Sequence, residues 1–111
     1  MTALVAVTYY TATLGAPLFC GGYYGEIGVA VPEFSPWQCG DPIMIDADGK
    51  QFVYPVADRG RFDNNCVMQL NGTCLPIAVD VPEHLKWFDG MSTVGRVWNL
   101  SERARWREFP Q

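Results

Sequence analysis

Residues 56–62, VADRGRF, and residues 77–81, IAVDV, are the two most informative stretches of this chain. Each contains a short apolar run typical of a strand, and each carries an aspartate, Asp58 in the first and Asp80 in the second. A carboxyl group beside Val, Ala or Phe is partly desolvated, which favours its protonated form and suits it to acid chemistry on sugars. The structural alternative is that Asp58 starts a turn and Asp80 caps a helix beginning near Pro82.

The composition indicates one globular domain. The chain has 111 residues, 49% of them hydrophobic and 14% aromatic, which is enough for a single core. Its net charge is −4, and its basic residues cluster only at Arg103, Arg105 and Arg107, so we expect no nucleic-acid partner. No apolar run reaches the roughly 20 residues of a membrane span. We expect no cofactor and no metal, because the lone His84 and the cysteine spacing do not make a zinc site.

The cysteines Cys20, Cys39, Cys66 and Cys74 predict disulfides and an oxidising compartment. We favour the pairs Cys20–Cys39 and Cys66–Cys74, since local closure costs the least entropy in folding. The other two connectivities and reduced thiols are the alternatives. The predicted location is extracytoplasmic: secreted, periplasmic, at a cell surface or in a virion. The first residues do not resemble a signal peptide, so we expect either a removed leader or another export route.

The order of elements predicts a mainly β fold with one short helix and long disulfide-bearing loops. The predicted strands are residues 3–12, 26–31, 42–46, 51–57, 76–81 and 93–100, and the helix is residues 82–88. The turn at residues 46–49 joins the third and fourth strands as a hairpin. Six short strands of this kind suggest a small barrel over residues 1–100, followed by a charged C-terminal tail, residues 101–111.

Several strings in this order resemble the double-psi β-barrel superfamily, which includes barwin, expansins, family 45 endoglucanases, rare lipoprotein A and the three-aspartate (3D) domains. Residues 58–62 are similar to the Asp-Arg-Gly-Pro-Phe motif of rare lipoprotein A, with Arg61 in place of proline. Residues 28–31, Asp58, Asp80 and the closing residues 95–98, GRVW, resemble the 3D domain of membrane-bound lytic transglycosylase A. The resemblance implies a six-stranded double-psi β-barrel.

The resemblance also implies an activity on the glycan strands of peptidoglycan, by a lytic transglycosylase mechanism. The aspartate that matches Asp58 is essential in the rare lipoprotein A family, and the one that matches Asp80 is essential in the membrane-bound enzyme. Both are therefore candidate catalytic residues. If the Arg59 guanidinium lies beside Asp58 and keeps it ionised, Asp80 is the proton donor and Asp58 stabilises positive charge on the sugar.

Five further residues are candidates for binding a polysaccharide: Arg59, Glu33, Glu26, Tyr24 and Trp37. In the extended pairs Tyr9-Tyr10 and Tyr23-Tyr24, one ring of each pair is expected to point outward, where it can stack on a sugar. The sequence departs from the family where the first aspartate of the 3D pattern is expected, because residues 32–33 are Pro-Glu. The histidine of rare lipoprotein A is absent as well.

These departures leave two alternatives to an enzyme. The first is a non-catalytic glycan-binding module, which fits the missing acidic residue. The second is a structural subunit of an extracellular filament, virion or phage tail, which would associate with neighbouring copies or an assembly partner. The apolar first strand and the Gly- and Cys-rich loop after it fit a subunit that pairs its edges with neighbours.

Overall fold

The computed structural model describes residues 3–62 and 66–102, and it confirms the expected fold class, a mainly β closed barrel with one short helix. In chain order the elements are β1 (Val5–Tyr10), β2 (Val29–Pro32), β3 (Pro42–Ala47), β4 (Lys50–Gly60), β5 (Gln69–Leu70), β6 (Thr73–Cys74), β7 (Ile77–Pro82), a 3-10 helix (Glu83–Leu85) and β8 (Ser92–Asn99). Six of the strands form the barrel, and β5 with β6 forms a separate two-stranded ribbon.

The barrel closes in the strand order β1-β7-β2-β4-β3-β8, with β8 pairing back onto β1. The pairs β1–β7 and β2–β4 are parallel, and the other pairs are antiparallel. Closure leaves no exposed edge in the barrel sheet. It also places β2 between β7 and β4, which are the two strands that carry the aspartates.

The interior of the barrel is filled by β-branched side chains, which suit a pleated, buried surface. Its fully buried members are Val7, Val29, Val31, Ile43, Ile45, Val56, Val79 and Val81. Because side chains alternate along a strand, the residue between two buried valines points away from the core. Ala30 in β2 and Asp80 in β7 are such residues.

Strand β4 extends three residues beyond the predicted end at residue 57. Residues 58–60 pair in parallel with β2, where Ala30 is the partner of Asp58, so these residues gain backbone partners that local sequence does not reveal. Asp58 therefore lies inside a strand and does not start a turn. Asp80 likewise lies inside β7, and the short 3-10 helix has no side-chain cap at its first residue, so Asp80 does not cap a helix.

The predicted loop at residues 59–74 contains a hairpin that the sequence interpretation missed. Strands β5 and β6 pair across Asn71 and Gly72, which have φ values of 52° and 78°. An Asn-Gly pair with left-handed backbone is a strong hairpin signal. The predicted turn between β3 and β4 is confirmed, with the same geometry at Asp48 and Gly49.

Both expected disulfides are confirmed, Cys20–Cys39 and Cys66–Cys74. The first ties the loop after β1, residues 11–28, to the corner before β3, and the second closes the β5–β6 ribbon. In the described part of the chain, no helix has both the length and the apolar character needed to cross a bilayer. Most of the predicted charged tail, residues 103–111, lies outside the described residues.

Candidate functional site

Four residues form a row across four adjacent strands on the outside of the barrel. Thr8 in β1 is the register partner of Asp80, Asp80 is the partner of Ala30, and Ala30 is the partner of Asp58. Register partners project to the same face of a sheet. With strands about 4.8 Å apart, the Cα atoms of the two aspartates are separated by about 10 Å. The structure thus brings the two predicted catalytic residues to one surface.

Asp80 lies half-buried at the wall of an open cleft of about 620 Å³. We call this the Asp80 cleft; it is also lined by Tyr9, Tyr10, Arg61 and Met91. Burial raises the pKa of the Asp80 carboxyl, and the hydrogen bond that the Thr8 hydroxyl donates to Oδ1, 2.9 Å long, acts in the opposite direction. A carboxyl with a raised pKa beside an open cleft is suited to exchange protons with a ligand.

Tyr10 lies near both aspartates. Burial, followed by the neighbouring charges of Asp58 and Asp80, raises the pKa of the Tyr10 phenol. Its ring contacts the Tyr24 ring edge-on, with centroids 5.5 Å apart. Tyr24 is only 8% exposed, and its hydroxyl donates to the Tyr10 carbonyl over 3.2 Å. The Tyr24 side chain therefore supports Tyr10 and offers no free ring face to a sugar.

Asp58 has a different environment from Asp80. Its Oδ1 accepts a hydrogen bond of 2.9 Å from the backbone N–H of Phe19, in the loop that Cys20 anchors. The next amide in the loop, that of Cys20, donates to the Ala57 carbonyl over 3.2 Å. Asp58 thus holds the loop against β4, and it is not among the described residues that line the Asp80 cleft.

The Arg59 guanidinium does not pair with Asp58. It donates hydrogen bonds to the backbone carbonyls of residues 32, 33, 35 and 37. Among the described residues the single ion pair joins Arg61 to Glu33, at 3.8 Å. The direct contact between Arg59 and Asp58 that the sequence interpretation considered is therefore absent. The guanidinium instead holds residues 32–37 in place.

The remaining predicted binding residues lie apart from Asp80. Glu33 lines a second cleft, described below. The Glu26 carboxylate accepts from the Tyr23 backbone N–H, and its own carbonyl oxygen lies 2.9 Å from Nε2 of the exposed His84. Trp37 is half-buried and packs against the barrel core. None of the three lines the Asp80 cleft in the described part of the chain.

Thr8 is the site residue that sequence reasoning missed. It lies 72 residues from Asp80 in the chain, so only the parallel β1–β7 pairing brings the two together. For the pair Tyr9-Tyr10 the sequence predicts one outward ring, but it gives no indication that Tyr10 lies near both aspartates. The alternation of the segment VTYY, residues 7–10, after a buried valine is a sequence signal for Thr8 projecting outward, although it does not identify the partner.

Within residues 3–62 and 66–102, no group of three or more His, Cys, Asp or Glu residues is arranged to hold a metal ion. The side chains of the site provide carboxyl, hydroxyl and aromatic groups, which together suit recognition and proton transfer on a hydroxyl-rich ligand. Comparisons with protein-family models, with curated proteins and with solved structures found no match to this chain.

Proposed function

We propose that this chain is a polysaccharide-acting domain that cleaves the glycan strands of peptidoglycan in the manner of a lytic transglycosylase. The single observation that carries the proposal is the Asp80 carboxyl: it has a raised pKa, a hydroxyl partner in Thr8 and a place on the wall of an open cleft. The cleft volume falls in the range of typical ligand sites. The resemblance to double-psi β-barrels of rare lipoprotein A and 3D domains gives the expected substrate, in an extracytoplasmic compartment that the two disulfides favour.

In the proposed reaction, protonated Asp80 donates its proton to the glycosidic oxygen while the bond from that oxygen to the anomeric carbon breaks. The 6-hydroxyl oxygen of the same sugar then bonds to the anomeric carbon, and the Asp80 carboxylate takes the hydroxyl proton. The products are a 1,6-anhydro sugar and a shortened strand, and Asp80 returns to its protonated form. Asp58, whose Cα lies about 10 Å from that of Asp80 and whose carboxylate is engaged with the Phe19 amide, acts on the positively charged transition state only as a distant negative charge.

A non-catalytic glycan-binding module is the second candidate. It is favoured by the fact that Asp80 is the single acidic residue among the described residues that line its cleft. Asp58 is engaged with the Phe19 amide, and Glu26 and Glu33 lie elsewhere. In this case the cleft binds the strand through Tyr9, Tyr10 and Asp80 without breaking it.

The test is incubation of the protein with purified peptidoglycan, followed by mass spectrometry for 1,6-anhydromuropeptides. Wild type is compared with Asp80→Asn, which keeps the size of the side chain and an acceptor for Thr8 but cannot donate an acidic proton. Ile27→Ala, an exposed residue outside the site, is the matched control.

Product from wild type and Ile27→Ala that disappears with Asp80→Asn supports the enzyme. Sedimentation of the protein with peptidoglycan in the absence of product selects the binding module. If neither product nor co-sedimentation occurs, the polysaccharide proposal is wrong. Concentration-dependent assembly in analytical ultracentrifugation would then favour the structural-subunit alternative.

A further inference from the structure

A second cleft, of about 660 Å³, lies beside the Asp80 cleft. The exposed residues Glu33 and Phe34 line its rim, and the two cysteines of the Cys66–Cys74 disulfide line it as well. We call it the Phe34 cleft. The two clefts share Arg61, Phe62 and Ile77 as lining residues. Because both are open and have a common border, an extended ligand that occupies one can continue into the other.

Phe34 is the most exposed large apolar side chain of the described residues, at 90%. It lies in the turn after β2, where the Ser35 amide donates to the Pro32 carbonyl over 2.9 Å. Single exposed apolar residues are common on protein surfaces and need no explanation by themselves. Phe34 differs from such isolated residues in two ways: it lies on the rim of a cleft, and its turn is held by several hydrogen bonds.

The turn that carries Phe34 is anchored by Arg59. The guanidinium donates to carbonyls on both sides of Phe34, including that of Ser35 at 2.7 Å. The Glu33 amide also donates to the Gly60 carbonyl over 2.8 Å. Hydrogen bonds from a charged guanidinium are stronger than those between neutral groups. The backbone beneath Phe34 is therefore held in one conformation, which reduces the entropy lost when a ligand binds to it.

We propose that the Phe34 cleft is a second sugar-binding site, which receives the residues of the glycan strand next to those bound at Asp80; this rests on the proposed function. Phe34 supplies an apolar face for the C–H groups of a sugar ring. Glu33 and Arg61, whose side chain is 88% exposed, supply hydrogen-bonding groups for hydroxyl or carboxylate groups. The preferred substrate is then a polymer, and a disaccharide fills only part of the groove.

The experiment measures binding of a disaccharide and of an octasaccharide, both prepared from peptidoglycan glycan strands, by isothermal titration calorimetry. To prevent cleavage, each variant is made in an Asp80→Asn background. We expect the octasaccharide to bind at least about tenfold more tightly than the disaccharide. Phe34→Ala should lose about tenfold in octasaccharide affinity, which corresponds to about 1.4 kcal/mol, and nothing in disaccharide affinity. Phe34→Trp should keep the octasaccharide affinity, and Ile27→Ala is the control.

The inference is overturned if the octasaccharide binds no more tightly than the disaccharide, if Phe34→Ala weakens both ligands equally or neither, or if neither ligand binds. These results leave the proposed function to be decided by the 1,6-anhydro product of the wild-type protein on whole peptidoglycan. Conversely, length-dependent binding through Phe34 without any product supports the second sugar site on a non-catalytic module. The two proposals therefore fail separately.

Discussion

Asp80 and Asp58 occupy one row, on either side of Ala30, but their surroundings differ. The Asp80 carboxyl accepts a hydrogen bond from a side-chain hydroxyl and borders an open cleft. The Asp58 carboxyl accepts a hydrogen bond from a backbone amide, in a loop that a disulfide anchors. Two aspartates on the same face of the sheet thus differ in role: the Asp80 carboxyl is available to a ligand, and the Asp58 carboxyl holds a loop in place. The loop that contacts Asp58, and not the strand, therefore decides which aspartate is available to exchange protons with a ligand.

The first and largest predicted difference is in the enzymatic activity of variants at the two aspartates. Asp80→Asn should lower the rate of 1,6-anhydromuropeptide formation by about a thousandfold, within the range for loss of a general acid. Asp58→Asn should lower it only about tenfold, because Asp58 acts at a distance. The measurement is product per unit time by mass spectrometry, with circular dichroism as a check on folding. An equal or larger loss from Asp58→Asn would show that Asp58 takes part in the reaction at least as directly as Asp80.

The next effect concerns the loop that covers Asp58. Replacing Cys20 and Cys39 with serine removes a link across 19 residues, and the same change at Cys66 and Cys74 removes one across 8. Loop-closure entropy gives costs of about 3 and about 2.5 kcal/mol in the free energy of unfolding.

Urea denaturation of the two double variants measures these costs. The first variant should also lose activity, because its loop no longer holds Tyr24 against Tyr10. The outcome that contradicts this view is a greater stability loss from the Cys66–Cys74 variant, together with full activity of the Cys20–Cys39 variant.

The third prediction concerns stability, and the expected change has opposite signs for the two aspartates of the row. The folded-state pKa of Asp80 is raised by burial, so stability present below the unfolded pKa is lost as pH rises through the folded pKa. Asp80→Asn should therefore stabilise the protein at neutral pH, and this gain should vanish in acid. Asp58→Asn should instead destabilise it by about 1 kcal/mol, because the bond to the Phe19 amide weakens.

The free energy of unfolding of wild type and both variants, measured from about pH 3 to pH 8, tests this prediction; the range spans the ordinary aspartate pKa and neutrality. Destabilisation by Asp80→Asn at neutral pH would mean that the Asp80 carboxylate serves the fold and not a ligand.

The smallest effect is on the pH dependence of the reaction. Thr8→Val removes a hydrogen bond that lowers the pKa of Asp80 while keeping the shape of the side chain. The pKa of Asp80 should then rise further, so the fall in activity with increasing pH should begin at a higher pH. The pH–rate profiles of wild type and Thr8→Val give the answer; an unchanged or lower midpoint would show that Thr8 does not act on this carboxyl.

The strands and turns were largely predictable, since they depend on neighbours in the chain. Apolar runs rich in β-branched and aromatic residues located each barrel strand to within a few residues, and Asp48-Gly49 identified the β3–β4 hairpin. The extension of β4 to Gly60 was not predictable, because residues 58–60 are held by pairing with β2. The Asn71-Gly72 hairpin was missed although its signal was present in the sequence.

The candidate site was only partly predictable. Asp58 and Asp80 were identified by their apolar neighbours, but the different role of each depends on Phe19 and Thr8, which lie 39 and 72 residues away in the chain. Arg59, adjacent to Asp58, was expected to act on it, yet its guanidinium binds the carbonyls of residues 32–37. Adjacent residues on a strand project in different directions, so sequence neighbourhood does not imply contact between side chains.

A small mainly β domain and the approximate positions of its strands follow from apolar, β-branched runs and turn residues in the sequence, and short loop closure favours the observed disulfide pairing over the two other connectivities. The row formed by Thr8, Asp80, Ala30 and Asp58, and the binding of the Phe34 turn by Arg59, depend on the folded barrel. Barrel closure sets the register between strands that are distant in the chain, and that register determines which side chains meet.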